Sequence, residues 1–306
     1  MSNRILLALD GSAMDAAAFD EALRIAAGGA EIHLLHVVPP RAVPVGTPLM
    51  GMADTATDWP IAFGGTGAEA HVRETAPSSA PGIPGLDDES RIYDQAVRYL
   101  EGYRRRLRGV SGQDLIRTGA VADAILEVAL MFNIDLIVMS TKARTGFARW
   151  LLGSVSDAVL RGSQLPVLLV PKGIRKRPEK LRRILVPLSG APESRAILSV
   201  VKPLALRVKA EILLLEVVDP RQPGAGLEDV GRDIAQAGAS WQSLTVYGDP
   251  TQEILRHAKS RNADLIAMSA PARKGSALFD RSVPEAVLAR VDRPILLQNP
   301  VIHAKR

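Results

Sequence analysis

The chain has 306 residues, of which 47% are hydrophobic and 23% charged, a composition typical of a soluble globular protein with room for two domains. It contains no cysteine, which excludes disulfide frameworks, thiolate metal sites and cysteine nucleophiles. The apolar run at residues 5–9 is too short for a signal-peptide core, and no run of eighteen apolar residues predicts a membrane span. We therefore expect a cytoplasmic protein without a membrane partner.

The net charge of +5 is concentrated in one segment. Residues 172–183 hold seven basic side chains and one acidic side chain, or +6, which exceeds the charge of the whole chain. Aromatic residues make up only 4% of the sequence, so no basic surface interleaved with stacking rings is visible. We expect a solvated linker here and no nucleic-acid partner.

Short apolar runs alternate with helical patterns along the first half. Phe19, Leu23 and Ala26 have helical spacing, and Ser12 with Asp15 resembles a capping box at the start of that helix. The runs are continuous, as in buried parallel strands, and they predict strands at residues 5–9, 31–38, 114–118, 136–139 and 167–170. Strands separated by helices predict a doubly wound α/β fold, with a five-stranded parallel sheet in the order 3-2-1-4-5.

The second half repeats the first. "RILLALDGS" from Arg4 returns as "RILVPLSGA" from Arg183, an offset of 179, whereas "DLIVMS" from Asp135 returns as "DLIAMS" from Asp264, an offset of 129. The difference, 179 minus 129, predicts a fifty-residue insertion at about 41–90 in the first copy. This window contains seven Gly and six Pro, a composition that indicates either a solvated loop or a partly ordered lid over a site. The predicted domains are 1–172 and 183–306, joined by a basic linker at 173–182.

In such a sheet, ligands bind at the carboxyl ends of the strands where the strand order reverses. Asp10 follows the first strand and Ser140 ends the fourth, so both should line that crevice. Gly153, Ser154 and Val155 open a helix whose unpaired N–H groups attract anions. The alternative is that Gly153 eases a turn and Ser154 caps the helix without any ligand.

Four segments, "ILLALDGS", "LLHVVPP", "LIVMSTKARTGFARWLLGSVSDAVL" and "LPVLLVP", resemble the universal stress protein family in order and spacing. The doubled arrangement resembles the tandem members of that family. In the family the last strand commonly pairs across a dimer interface. The resemblance therefore implies an intramolecular pseudo-dimer of the two copies, and it leaves a further homodimer open.

Nucleotide-binding members of the family have a glycine, two residues, a second glycine, nine residues, then glycine and serine or threonine. The matching positions here are Ser140, Ala143, Gly153 and Ser154, so the spacing is kept while both early glycines are replaced. The family aspartate that approaches base and ribose matches Asp10. The resemblance implies ATP, with Mg²⁺, as ligand and the following contact residues: Asp10, Val38, Met139, Ser140, Ala143, Gly153, Ser154 and Val155.

The second copy departs further from this pattern. Ser189 replaces the aspartate, Ser269 and Ala272 replace the glycines, and Arg281 stands where the first copy has Gly153. The loop before Arg281 is also one residue shorter. We expect this copy to be a structural partner.

No catalytic or metal-binding constellation is evident in the sequence. His33 and His36 lie close together, but on a strand they point to opposite faces, which is wrong for one metal ion. The sequence therefore predicts a nucleotide-binding stress protein with little or no turnover. The alternative is an interaction or dimerisation scaffold that binds no nucleotide, and an ATP-consuming enzyme is less favoured.

Overall fold

The computed structural model describes residues 3–27, 29–39, 86–141, 153–174, 180–218, 224, 226–270 and 283–299. Strands and helices alternate through the first half as predicted. The elements of this half are β1 (Arg4–Leu9), α1 (Asp15–Ala26), β2 (Glu31–Val38), α2 (Leu86–Arg104), β3 (Asp114–Thr118), α3 (Val121–Met131), β4 (Leu136–Thr141), α4 (Ser154–Gly162) and β5 (Val167–Pro171).

The second half has the same order of strands, with a short 3-10 helix where the first half has a turn and the start of α1. Its elements are β6 (Arg183–Leu188), the 3-10 helix (Pro192–Ile197), α5 (Leu198–Val208), β7 (Glu211–Val218), α6 (Leu227–Gln236), β8 (Trp241–Tyr247), α7 (Pro250–Ser260), β9 (Leu265–Ser269), α8 (Val283–Leu288) and β10 (Ile295–Gln298). No helix in the described ranges is both long and apolar enough to cross a membrane.

All ten strands form one sheet in the order β3-β2-β1-β4-β5-β10-β9-β6-β7-β8. Within each half the strands are parallel in the order 3-2-1-4-5, which confirms the predicted fold class. The halves meet where β5 pairs antiparallel with β10, Leu168 opposite Leu296. Both fifth strands are thus paired inside the chain, and β3 and β8 form the margins of the sheet.

Side chains along each strand point alternately to the two faces of the sheet, so each face has its own apolar layer. On β1, Ile5 and Leu7 belong to the layer beneath α1 and α2, and Leu6 belongs to the layer beneath α3 and α4. Each layer continues across the β5–β10 junction into the second half. The strands are therefore buried on both faces, which is why they read as continuous apolar runs.

Buried polar contacts also join the halves. Arg24 on α1 contacts Glu21 at 2.6 Å and reaches Asp264, before β9, at 3.3 Å, and all three side chains are nearly buried. Arg207 on α5 donates to the carbonyl of Ile25 at 3.1 Å. These contacts attach α1 to the second half of the molecule.

Several local expectations were wrong. Strand β4 continues to Thr141, and α2 begins at Leu86, inside the window predicted as insertion; residues 41–85 lie outside the described ones. Ser12 does not cap α1, whose N-cap is Met14; its hydroxyl accepts from the Met14 N–H, while the Asp15 carboxylate bonds the preceding turn.

Candidate functional site

The predicted crevice lies at the carboxyl ends of β1 and β4, the neighbouring strands at which the order reverses. Register pairs Ala8 with Met139, so Asp10 lies level with Thr141 at the end of β4. Met139 is buried and Ser140 is half-buried. The structure therefore brings Asp10 and Ser140 to one end of adjacent strands, as ligand sites in this fold require.

The β1–α1 turn is held by two carboxylates. Asp10 is exposed, and its Oδ1 accepts the N–H of Ser12 at 2.9 Å. Gly11 has φ +79, a conformation that favours glycine, and its N–H donates to Asp15 Oδ2 at 2.8 Å. Asp10 thus closes an Asx-type turn while its side chain stays exposed.

Asp15 is a buried acid that sequence reasoning assigned only to capping. Its side chain is fully buried, Tyr99 on α2 donates a hydrogen bond to Oδ2, and Oδ1 has no hydrogen-bond partner. Burial raises the pKa of Asp15, and the nearby charge of Asp10 raises this pKa further, against the lowering effect of the Tyr99 hydroxyl. Burial and the bond to Asp15 raise the pKa of Tyr99. The carboxyl therefore ties the Asp10 turn to α2.

Aromatic rings surround this contact. Tyr99 meets the ring of His36 edge-on at a centroid distance of 5.4 Å, and the Nδ1 of His36 lies 2.9 Å from the carbonyl of Leu9. His33 points to the other face of the sheet, toward Phe132. The prediction that the two histidines face opposite sides is confirmed. Among the described residues no cluster of three or more His, Asp or Glu side chains could hold a metal ion.

The backbone direction of β2 corrects one predicted contact. Glu31 N donates to Asn3 O at 2.9 Å and Leu34 N to Gln113 O at 2.8 Å, so odd-numbered residues face β1 and even-numbered residues face β3. The carbonyl of Val38 accepts the N–H of Gly119 and is turned away from the crevice. The N–H and carbonyl of Val37 face the β1 side instead. Only the strand register reveals this difference.

The opposite wall is the start of α4. Gly153 is the N-cap with φ −53, an ordinary value for any residue, and a Cβ built on it meets no described atom within 4 Å. Ser154 is exposed, and it lies in the first turn without capping the helix. Val155 is half-buried. Ala143 lies outside the described residues.

In the second half, hydrogen bonds connect the corresponding strand ends, those of β6 and β9, with the 3-10 helix. Ser269, at the position of Ser140, donates to Ser194 O and accepts from Ile197 N, both at 3.1 Å. The hydroxyl of Ser194 donates to Ser189 O at 2.9 Å. These bonds fasten the 3-10 helix to the end of β9, at the place where the start of α1 packs near β4 in the first half. Ala272 and Arg281 lie outside the described residues.

Comparison with known proteins identifies the family. The sequence profile of the universal stress protein family matches residues 1–171 and 180–298. The chain belongs to the universal stress protein family. Universal stress protein YxiE of Bacillus subtilis is 28% identical over 176 residues, which cover 56% of this chain and 99% of that protein.

Solved structures of low identity share the universal stress protein fold over the whole chain. A universal stress protein from Archaeoglobus fulgidus superposes with a TM-score of 0.67 at 19% identity, covering 98% of this chain and 99% of its own. A functionally unknown protein from Pseudomonas aeruginosa gives 0.58 at 17% identity, covering 98% of this chain and 93% of its own. These likenesses describe the fold of the tandem universal stress protein.

Proposed function

We propose that the first-half crevice binds an adenine nucleotide, ATP with Mg²⁺, and that this binding serves a stress response or its regulation. Gly153 carries the proposal. Its φ of −53 does not demand glycine, and a Cβ on it would contact no described atom. A ligand that approaches the backbone at the helix start is a physical reason for glycine at this position.

Each wall of the crevice has a role in this proposal. The exposed N-terminus of α4, with Gly153 and Ser154, offers N–H groups and a hydroxyl to the phosphates. Asp10 suits a ribose hydroxyl, since an exposed carboxylate accepts hydrogen bonds. The carbonyl of Val37, which faces the β1 side, offers an acceptor to the adenine edge. Bound Mg²⁺ would be held chiefly by the phosphate oxygens.

Little or no turnover is part of the proposal. Asp15, the second carboxyl at the β1 end, is fully buried and bonded to Gly11 and Tyr99, so it is poorly placed to activate a water molecule. Asp10 already accepts the N–H of Ser12. We infer that the crevice binds and senses a nucleotide, with the second half as a structural pseudo-dimer partner joined through β5 and β10.

Titration calorimetry with ATP and Mg²⁺ tests the proposal. Gly153→Leu should leave the melting temperature nearly unchanged because a Cβ at this position meets no described atom within 4 Å, yet it should raise the Kd at least about tenfold. Gly102→Leu is the matched control, because a Cβ built on Gly102 of α2 likewise meets none of the described atoms within 4 Å. Equal affinity in both variants, or no binding of ATP, ADP or AMP by the wild type, would overturn the proposal.

A scaffold without nucleotide is the second candidate. The hydrogen bonds of Ser269 and Ser194 in the second half favour it, because they use the chain's own polar groups at the positions that correspond to Ser140 and Asp15 of the first half. This candidate predicts that no small molecule is released on heating the purified protein and that adenine nucleotides leave its melting temperature unchanged.

A further inference from the structure

The two margins of the sheet differ in chemistry. β3 carries Asp114 and Arg117, and Arg104 on α2 donates to Asp114 Oδ1 at 2.7 Å and to the carbonyl of Ile32 at 3.2 Å. β8 is seven residues long and contains neither a charged residue nor proline. Charges, prolines and short length are the means by which natural edge strands avoid pairing, and β8 has none of them.

β8 is also poorly covered on both faces. Gln242 on one face and Ser243, Thr245 and Tyr247 on the other are exposed, and Tyr247 is 72% exposed. Trp241, by contrast, lies against α6, where a Cβ on Gly231 would come within 2.1 Å of its ring. A large aromatic side chain thus remains uncovered at one end of an uncharged edge.

The hydrogen bonds between β7 and β8 show which backbone N–H and carbonyl groups of β8 point to the open edge of the sheet. Ile212 N donates to Ser240 O at 2.9 Å, so in this parallel ladder the even-numbered residues of β8 bond β7. Trp241, Ser243, Thr245 and Tyr247 therefore direct their N–H and carbonyl groups to the open side. In the part of the chain that the structure describes, no strand pairs with that side.

We propose that β8 pairs antiparallel with β8 of a second copy of this chain, around a two-fold axis at Leu244. A two-fold axis makes identical edges antiparallel, and the register that overlaps all seven residues places outward-facing residues opposite each other. Ser243 then opposes Thr245 of the second copy. Trp241 opposes Tyr247 of the second copy on the same face, an aromatic pair at each end that covers the exposed ring.

Self-association is the occupant that the chemistry favours. No charged side chain of either copy enters the pairing, so the seven residues meet themselves without like-charge repulsion. The other margin, β3, carries the charged residues Asp114 and Arg117, so it is not equivalent. This interface lies at the far margin from the first-half crevice and does not depend on nucleotide binding.

Sedimentation of the full chain tests the interface. The wild type should be a dimer, and Thr245→Pro should raise the dissociation constant at least about tenfold, because it removes an outward N–H from each copy while keeping the ladder to β7. Thr118→Pro is the matched control, since Thr118 is an outward-facing, exposed threonine of β3, the other margin, and its replacement should leave the dimer unchanged. A monomeric wild type at high micromolar concentration, or a dimer that Thr245→Pro does not weaken, would overturn the proposal.

Cross-linking decides the case if Thr245→Pro fails to fold. The chain has no cysteine, so Leu244→Cys introduces a single thiol. In the proposed register this thiol faces its own copy across the axis at a Cα separation of about 4.5 Å, within disulfide reach. Val246→Cys is the control, because its two copies would be about 13 Å apart. Rapid oxidation to a covalent dimer by Leu244→Cys alone supports the interface, and equal yields from both variants contradict it.

Discussion

The two halves share one fold but treat the end of their first strand differently. In the first half, Asp15 braces the turn and bonds Tyr99 on α2, 84 residues away. In the second half, Ser194 stands at the matching position and braces the turn locally, and Ser269 bonds the 3-10 helix at the end of β9. One duplicated unit thus holds the end of its first strand in two ways, by a long-range contact in the first half and by local hydrogen bonds in the second.

The largest expected effect concerns the contact that joins the halves. Arg24→Ala should lower the free energy of unfolding by about 3–5 kcal/mol, because it removes the nearly buried guanidinium that contacts Glu21 at 2.6 Å and Asp264 at 3.3 Å. Arg207→Ala, across the same junction, should cost about 1–2 kcal/mol, since it loses one hydrogen bond to a carbonyl. Urea unfolding measures both, and equal losses would mean that the buried ion cluster does not hold α1 to the second half.

The corresponding helices α2 and α6 give the next contrast. Gly231→Ala should destabilise the protein by about 1–3 kcal/mol, because its Cβ would overlap the ring of Trp241. Gly102→Ala should instead stabilise it by about 0.5–1 kcal/mol, because alanine favours the helix and its Cβ has open space. Thermal unfolding of both variants should give shifts of opposite sign. Shifts of the same sign would contradict the packing of Trp241 on α6.

Ser140 and Ser269, matching serines near the carboxyl ends of the fourth strands, should separate an effect on stability from an effect on binding. Ser269→Ala should cost about 1–2 kcal/mol, because it breaks two hydrogen bonds to the 3-10 helix. Ser140→Gly restores the glycine of the nucleotide motif, and we expect it to tighten ATP binding with little loss of stability. Calorimetry and thermal unfolding check both variants; weaker binding by Ser140→Gly would argue against phosphates beside this strand end.

The smallest effect is the pH dependence that Asp15 gives to the first half. Burial raises the pKa of Asp15 above 3.8, so above that pH the folded chain keeps a proton that the unfolded chain has lost. The Asp15 contribution to stability therefore falls as pH rises through this window toward the raised pKa. Asp10 and Tyr99 face the same carboxyl, and a change in either should shift the window.

Asp15→Asn removes this titration. Its stability relative to the wild type should rise as pH increases from about 4 toward neutrality, because only the wild type acquires a buried charge. Ser194→Ala, the matching change in the second half, should show a pH-independent difference. Urea unfolding over a pH series measures both, and a flat difference for Asp15→Asn would contradict burial of an ionising carboxyl.

The sequence predicted the five strands of the first half to within two residues, because a buried parallel strand is a continuous apolar run of limited length. The offset between Arg4 and Arg183 predicted the duplication for the same reason. The predicted capping box at Ser12 was wrong because the Asp15 carboxylate accepts hydrogen bonds from the Gly11 N–H and the Tyr99 hydroxyl instead. Tyr99 is 84 residues away, so no local pattern could indicate this bond.

The sequence by itself determined the doubly wound fold and the repeat, because hydrophobic periodicity is a property of short segments. Only the tertiary structure decided that the backbone of Val37, and not that of Val38, faces β1. It alone showed that β8 is left as an uncharged margin and that Ser269 bonds the 3-10 helix. These outcomes depend on strand register and on contacts between distant residues, which follow from how the elements pack together.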